Sequence, residues 1–136
     1  KALPMAMTLG AIRRLELIKA HPEYREKLWT IVNSLQKGLR DAGLNLGNTE
    51  SPVTPVFFKC PLEQVTQLIY DLRENYAIFC SVVIYPVVPR DVVMLRLIPT
   101  AVHSLEDVEY TVNAFRNIKK KVDNNEYPNE MADFSK

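Results

Sequence analysis

Glycine is scarce in this chain: 4 in 136 residues, none clustered. No glycine-rich loop therefore exists to wrap backbone N–H groups around a phosphate. Cysteine is scarcer still. Cys60 and Cys80 share no metal or redox spacing, and neither His21 nor His103 supplies one, which removes zinc-type centres. Two reduced thiols in a cytoplasmic protein are the expectation. An excess of one charge is also missing, since 17 Lys and Arg stand against 16 Asp and Glu for a net +1. With the basic residues not interleaved with aromatics, neither nucleic acid nor an anionic membrane is implied as a partner. No apolar run is long enough to span a bilayer, and Arg13 and Arg14 interrupt the one N-terminal stretch that could pass for a signal peptide. Ser104 follows His103, but sequence neighbours do not make a catalytic dyad, and a helix cap accounts for the serine.

What is present is an ordinary globular composition, 47% hydrophobic and 24% charged, enough for one domain that buries ~65–70% of its unfolded surface. The opening Lys1-Ala-Leu-Pro4 has no initiator Met and passes at once into a helical pattern, so a cut inside a longer chain is expected. Residues 5–20 place Met7, Ala11, Leu15 and Ile18 on one side of a helix, with Gly10 suggesting close packing against a neighbour. His21-Pro22 breaks that helix and starts another, in which Leu28, Val32, Leu35, Leu39 and Ala42 recur at spacings of four and three before Gly43 stops it. Leu44 to Asn48 is a short strand or edge segment.

Ser51 to Phe58 reads as a strand, and Pro52 and Pro55, each lacking a donor, argue for a sheet edge or an interrupted ladder. A helix from Pro61 to about Tyr76 turns Val65, Leu68, Ile69 and Leu72 inward, and Ile78 to Ile84 is a second strand. Strand, helix, strand predicts a right-handed crossover between two parallel neighbours, with a third strand antiparallel to one of them. Ser104 caps a last helix, with Asp107 three residues on as a weaker relative of the capping box, and Leu105, Val108, Val112, Phe115 and Val122 form its buried stripe. Lys119 to Lys121 suit the helix C-terminus. Residues 1–122 thus form the domain, and 123–136 a polar tail, disordered or loosely docked. The fold class is α+β, a small antiparallel or mixed sheet of about three strands covered by helices.

The most informative stretch is Tyr85 to His103. Val92 to Ile98 is β-branched and apolar on both faces, broken by one charge at Arg96, which suits a strand covered on both sides. A guanidinium in such surroundings requires an anion, either a carboxylate of the protein such as Asp91 or Glu109, or one brought by a ligand.

Pro86-Val-Val-Pro89, the strand ending Leu95-Arg96-Leu97, and Ala101-Val-His103-Ser104 together resemble the C-terminal domain of the α-oxoamine synthases. These are pyridoxal-phosphate (PLP) enzymes of the aspartate-aminotransferase fold type, and the resemblance covers residues 1–122. It implies a whole enzyme that condenses an acyl-CoA with a small amino acid, glycine or serine, as a cytoplasmic homodimer. It also implies that Arg96 binds the amino acid's carboxylate, and that the loop of Pro86, Val87, Val88 and Pro89 lies over the active site near the acyl chain. Pro4 matches a proline that follows a Phe-Ser pair near the cofactor phosphate. His103 matches a position expected to form structural hydrogen bonds. No match exists for the Schiff-base lysine or for the aspartate that meets the pyridine nitrogen, both upstream in the family, so no catalytic residue is assigned and the fragment alone should be inactive. Met94 stands where acetyltransferase members often carry another arginine, and Asp91 replaces a common glycine. The Tyr85 to Pro89 wording leans toward glycine C-acetyltransferase. Serine palmitoyltransferase, 8-amino-7-oxononanoate synthase, an aminotransferase of the same fold, or a non-catalytic interaction module are the alternatives.

Overall fold

A computed structural model describes residues 3–127. Among them the elements run α1 (Met5–Ala20), α2 (Pro22–Asp41), β1 (Thr54–Lys59), α3 (Leu62–Glu74), β2 (Ser81–Val83), β3 (Val92–Leu97) and α4 (Leu105–Asp123). The class is the expected α+β, four helices with a three-stranded sheet. The sheet order is β1-β3-β2, with β3 antiparallel to both neighbours. The expected pair of parallel neighbours is corrected: β1 and β2 do run the same way, but β3 lies between them. The apolar β3 takes the centre, where both its edges find hydrogen-bond partners. The proline-bearing β1 stays at the rim, where a missing donor leaves no ladder bond broken. The Leu44 to Asn48 segment adds one bridge, Asn45 to Phe57.

One face of this sheet makes the core. Val56 and Phe58 of β1 oppose Leu95 and Val93 of β3, and all four are at most 5% exposed. Ile31, Leu35 and Leu39 of α2, Val65, Leu68 and Leu72 of α3, and Val108, Val112, Phe115 and Ile118 of α4 close over them in a single cluster. Each such large side chain contributes about 1.5–3 kcal/mol on burial. The helices α2 and α4 cross closely at Gly38, where a Cβ would come within 2.8 Å of Val112 Cγ2. The inward helix patterns hold, except that Leu105, placed in the buried stripe by its spacing, is 53% exposed. It sits in the first turn of α4, ahead of the part that reaches the sheet.

Two expectations fail, both for lack of a neighbour. Among the described residues the sheet is covered on one face only, so they leave the other face of β3 open. The first helix has its expected bounds but buries no residue. Gly10 is not a packing site: a Cβ there would touch nothing closer than its own helix's Arg14, at 3.6 Å. Around it Met5, Met7, Leu9, Ile12, Leu15 and Ile18 are each at least half exposed.

The end of the domain is anchored more firmly than a polar tail suggests. Tyr127 is 7% exposed, and its hydroxyl donates to Asp71 Oδ2 at 2.7 Å. The same oxygen accepts from Lys121 Nζ at 2.7 Å, while Asn75 Nδ2 donates to Oδ1 at 2.8 Å. Burial alone would raise the Asp71 carboxyl. The Lys121, Asn75 and Tyr127 donors outweigh it and hold the group below its ordinary value. Residues 128–136, the rest of that tail, lie outside the described residues.

Candidate functional site

Arg96 stands in the middle strand, on the face that no helix covers. Alternation sends Val93, Leu95 and Leu97 into the core and Val92, Met94 and Arg96 the other way. Register adds Pro55, Phe57 and Lys59 from β1 and Ser81 and Val83 from β2 to this outer face. The result is a half-buried apolar floor, Val92, Met94, Phe57 and Val83, with Arg96 exposed at one end and Lys59 exposed at the other. Arg96 is thus not sealed among apolar neighbours as its sequence context suggested, because only one side of its strand is packed.

The guanidinium has one side-chain partner among the described residues. Its Nε–H donates to Ser81 Oγ at 3.1 Å. No carboxylate of the described residues lies within ion-pairing distance, Asp91 and Glu109 included. Among the described residues neither terminal nitrogen has a hydrogen-bond partner.

The Pro86 to Pro89 loop joins β2 to β3 and is fixed by its own backbone. Val87 N–H donates to Ile84 O at 3.1 Å, Val92 N–H to Pro89 O at 3.3 Å, and Cys60 N–H to Asp91 O at 3.2 Å. Its two valines part company: Val88 is 8% exposed and Val87 76%, so only Val87 faces outward as a wall. Asp91 has φ +60°, a left-handed conformation in which a glycine is at ease and Asp is tolerated. The Arg90 guanidinium lies 4.8 Å from the Tyr85 ring centroid, a cation–π contact. Beside the loop is a cavity of about 270 Å³, lined by Cys60, Leu62, Tyr85, Arg90 and Val93 among others.

Loop and arginine occupy opposite ends of β3. Arg96 is four residue steps on from Val92, about 13 Å at the strand rise. The loop leads into the start of β3 and the arginine stands near the strand's other end. A second cavity of about 390 Å³ lies past the C-terminal end of β3, between Tyr76, Phe79, Ile98, His103 and Tyr110; nothing in the sequence pattern marks it. His103 has a structural role there: its Nδ1 accepts the Thr100 N–H at 2.9 Å, closing the turn before α4.

Other chemistry is limited. Burial pushes both the Cys60 and the Cys80 thiol up to about 11, so neither is a thiolate nucleophile near neutral pH. Among the described residues no three His, Cys, Asp or Glu side chains group as a metal site. A PLP anchor needs a sequestered amine that can shed its proton. Lys121 is tied to Asp71, which raises its pKa. Lys37 and Lys119 pair with Asp41 and Asp123, and Lys19, Lys27, Lys59 and Lys120 are not buried. The described residues therefore do not hold this cofactor by themselves.

No family model matches the chain. It is 45% identical over all 136 of its residues to a cysteate-C-fatty acyltransferase from Capnocytophaga ochracea, of which it covers 32%. It is 28% identical over 89% of its length to an 8-amino-7-oxononanoate synthase from Petrotoga mobilis, covering 30% of that protein. Among solved structures it is similar to a serine palmitoyltransferase from S. paucimobilis carrying bound PLP and myriocin, at TM-score 0.65 and 25% identity over 79% of this chain and 27% of the other. The chain thus spans about a third of the length of the curated relatives it matches.

Proposed function

We propose, from the premise that this chain is the C-terminal part of a PLP-dependent α-oxoamine synthase, that the whole enzyme transfers a long-chain acyl group from a CoA thioester to L-cysteate. This replaces glycine C-acetyltransferase, toward which the loop wording leaned. The observation that carries it is the 45% identity along the entire chain to a cysteate-C-fatty acyltransferase, against 28% for the 8-amino-7-oxononanoate synthase. In this reading PLP, held by the rest of the polypeptide, supplies the electron sink that makes the amino acid's Cα nucleophilic.

The chain's own contribution is recognition. Arg96 grips the amino acid's carboxylate through two parallel charge-assisted bonds, which fixes the orientation of the Cα–H bond. Its freedom from any carboxylate of the described residues is what suits it to an incoming acid. Val87 and the half-buried floor of Phe57, Met94 and Val83 exclude water along the acyl side. We place that floor at an interface inside a homodimer, covered by the remainder of the polypeptide.

The test is turnover by the full-length enzyme with L-cysteate, L-serine and glycine against acyl-CoAs from acetyl to palmitoyl. Highest kcat/KM with cysteate and a long acyl chain is expected. Preference for serine would move the enzyme to the serine palmitoyltransferases, and preference for glycine with acetyl-CoA would restore the earlier reading. Arg96→Ala should lose about 2–5 kcal/mol of amino-acid binding, as when one partner of a buried charge pair is removed. An unchanged KM for the amino acid would reject the role of Arg96.

A further inference from the structure

Arg96 is held from one side only. Directly across from Arg96 on the β1 side stands Pro55, whose side chain carries no polar atom and whose nitrogen has no hydrogen, and on the β2 side stands Ser81. Ser81 is half-buried, and its Oγ accepts the Nε–H of Arg96 at 3.1 Å, the single side-chain hydrogen bond of that guanidinium among the described residues. A guanidinium offers a carboxylate two forks: a side-on pair, Nε with one terminal nitrogen, and an end-on pair of both terminal nitrogens. Ser81 occupies the first fork and leaves the second. It also removes rotational freedom from a long side chain that would otherwise sample many orientations over an open sheet face, and so lowers the ordering cost when a ligand arrives.

The structure assigns Ser81 as the positioning residue for Arg96. It presents the guanidinium end-on, so that the amino acid's carboxylate is taken by the two terminal nitrogens. The assignment rests on the proposed role of Arg96 and adds to it a specific residue on a different strand. Ser81 touches neither substrate nor cofactor; it acts through the arginine. Removing the hydroxyl therefore weakens capture of the amino acid without altering the bond-making step, and a threonine, which keeps the hydroxyl on a strand-compatible backbone, retains the effect.

In the full-length enzyme, Ser81→Ala should raise KM for the amino acid about 5–20-fold, with kcat and the acyl-CoA KM within twofold of the parent, the signature of lost binding. Equilibrium dialysis of labelled amino acid without acyl donor should show the same fold-loss in affinity, and Ser81→Thr should restore both to within threefold. Arg96→Ala is measured alongside. If Arg96→Ala raises KM and Ser81→Ala does not, the positioning role is overturned while the carboxylate role stands. If neither changes KM, the reading of Arg96 fails and this inference with it. A fall in kcat alone for Ser81→Ala, or a failure of threonine to rescue, also overturns it.

Discussion

Leu95 and Arg96 are consecutive residues of the same strand, yet they belong to different problems. Leu95 has no exposed surface and meets Val56 across the sheet. Arg96 is exposed, meets Pro55 and Ser81, and has no acid to neutralise it among the described residues. The inner face of the sheet is finished within this chain. The outer face, like helix α1, is left uncovered by the described residues. The packed core and the face to which the proposed function gives recognition thus lie on opposite sides of one sheet, separated by the alternation of side chains along a strand.

Paired substitutions test that separation most sharply. Leu95→Ala should cost about 2–5 kcal/mol of stability, because the removed methyl groups leave a cavity between β1 and the helices. Arg96→Ala should change stability by about 0.5 kcal/mol or less, as for a surface residue away from a cap or core contact. Urea unfolding of this chain followed by circular dichroism reads both. A destabilisation by Arg96→Ala comparable to that of Leu95→Ala would mean that the arginine is part of the fold, and the division between faces would not stand.

The Asp71 cluster sharpens the comparison from the other side, since it is a charged group that does serve the fold. Asp71→Asn leaves Lys121 without its counter-ion and weakens the bond from Tyr127, for an expected loss of about 1–3 kcal/mol near pH 7. The folded-state pKa of Asp71 lies below its ordinary 3.8. The stability it brings is therefore present above that value and lost as pH falls through the lower folded one. The gap between parent and variant should narrow when unfolding at pH 7 is compared with unfolding below pH 3.8. A gap that is constant with pH would show that ionisation of Asp71 contributes nothing.

These contrasts also explain what the sequence could reveal. Helices α2, α3 and α4 were legible because each carries a continuous apolar stripe that its own chain covers. The bounds of α1 were legible from its helical pattern and from His21-Pro22, but its burial was not, since periodicity reports which side is apolar and says nothing of whether a neighbour is there. Arg96 stood out as a lone charge in an apolar strand. Ser81 did not, because its partnership depends on the register of β2 against β3, and three residues of strand carry no alternation strong enough to set register. Tyr127 and Asp71 are 56 residues apart in sequence, and no local pattern joins them. The parallel-neighbour expectation failed because a crossover rule specifies the direction of two strands without forbidding a third between them.

The smallest expected effect concerns His103 and Ser104, whose adjacency could be mistaken for chemistry. Ser104 Oγ accepts the Asp107 N–H at 3.1 Å, and Asp107 Oδ2 accepts the Ser104 N–H at 2.8 Å, a reciprocal capping box at the start of α4. The Ser104 N–H and hydroxyl hold the Asp107 carboxyl below its ordinary value, as an acceptor at a helix N-terminus should be. His103 meanwhile spends its Nδ1 on Thr100 and has no bond to Ser104. If the pair is purely structural, Ser104→Ala should cost about 1 kcal/mol of stability and no more, with the KM values and kcat of the full-length enzyme within twofold of the parent. Ser104→Asp, which keeps an acceptor at the cap, should recover most of that loss in urea unfolding. A hundredfold fall in kcat with stability unchanged would instead put the hydroxyl into the reaction, and with it a functional group on the packed side of the domain.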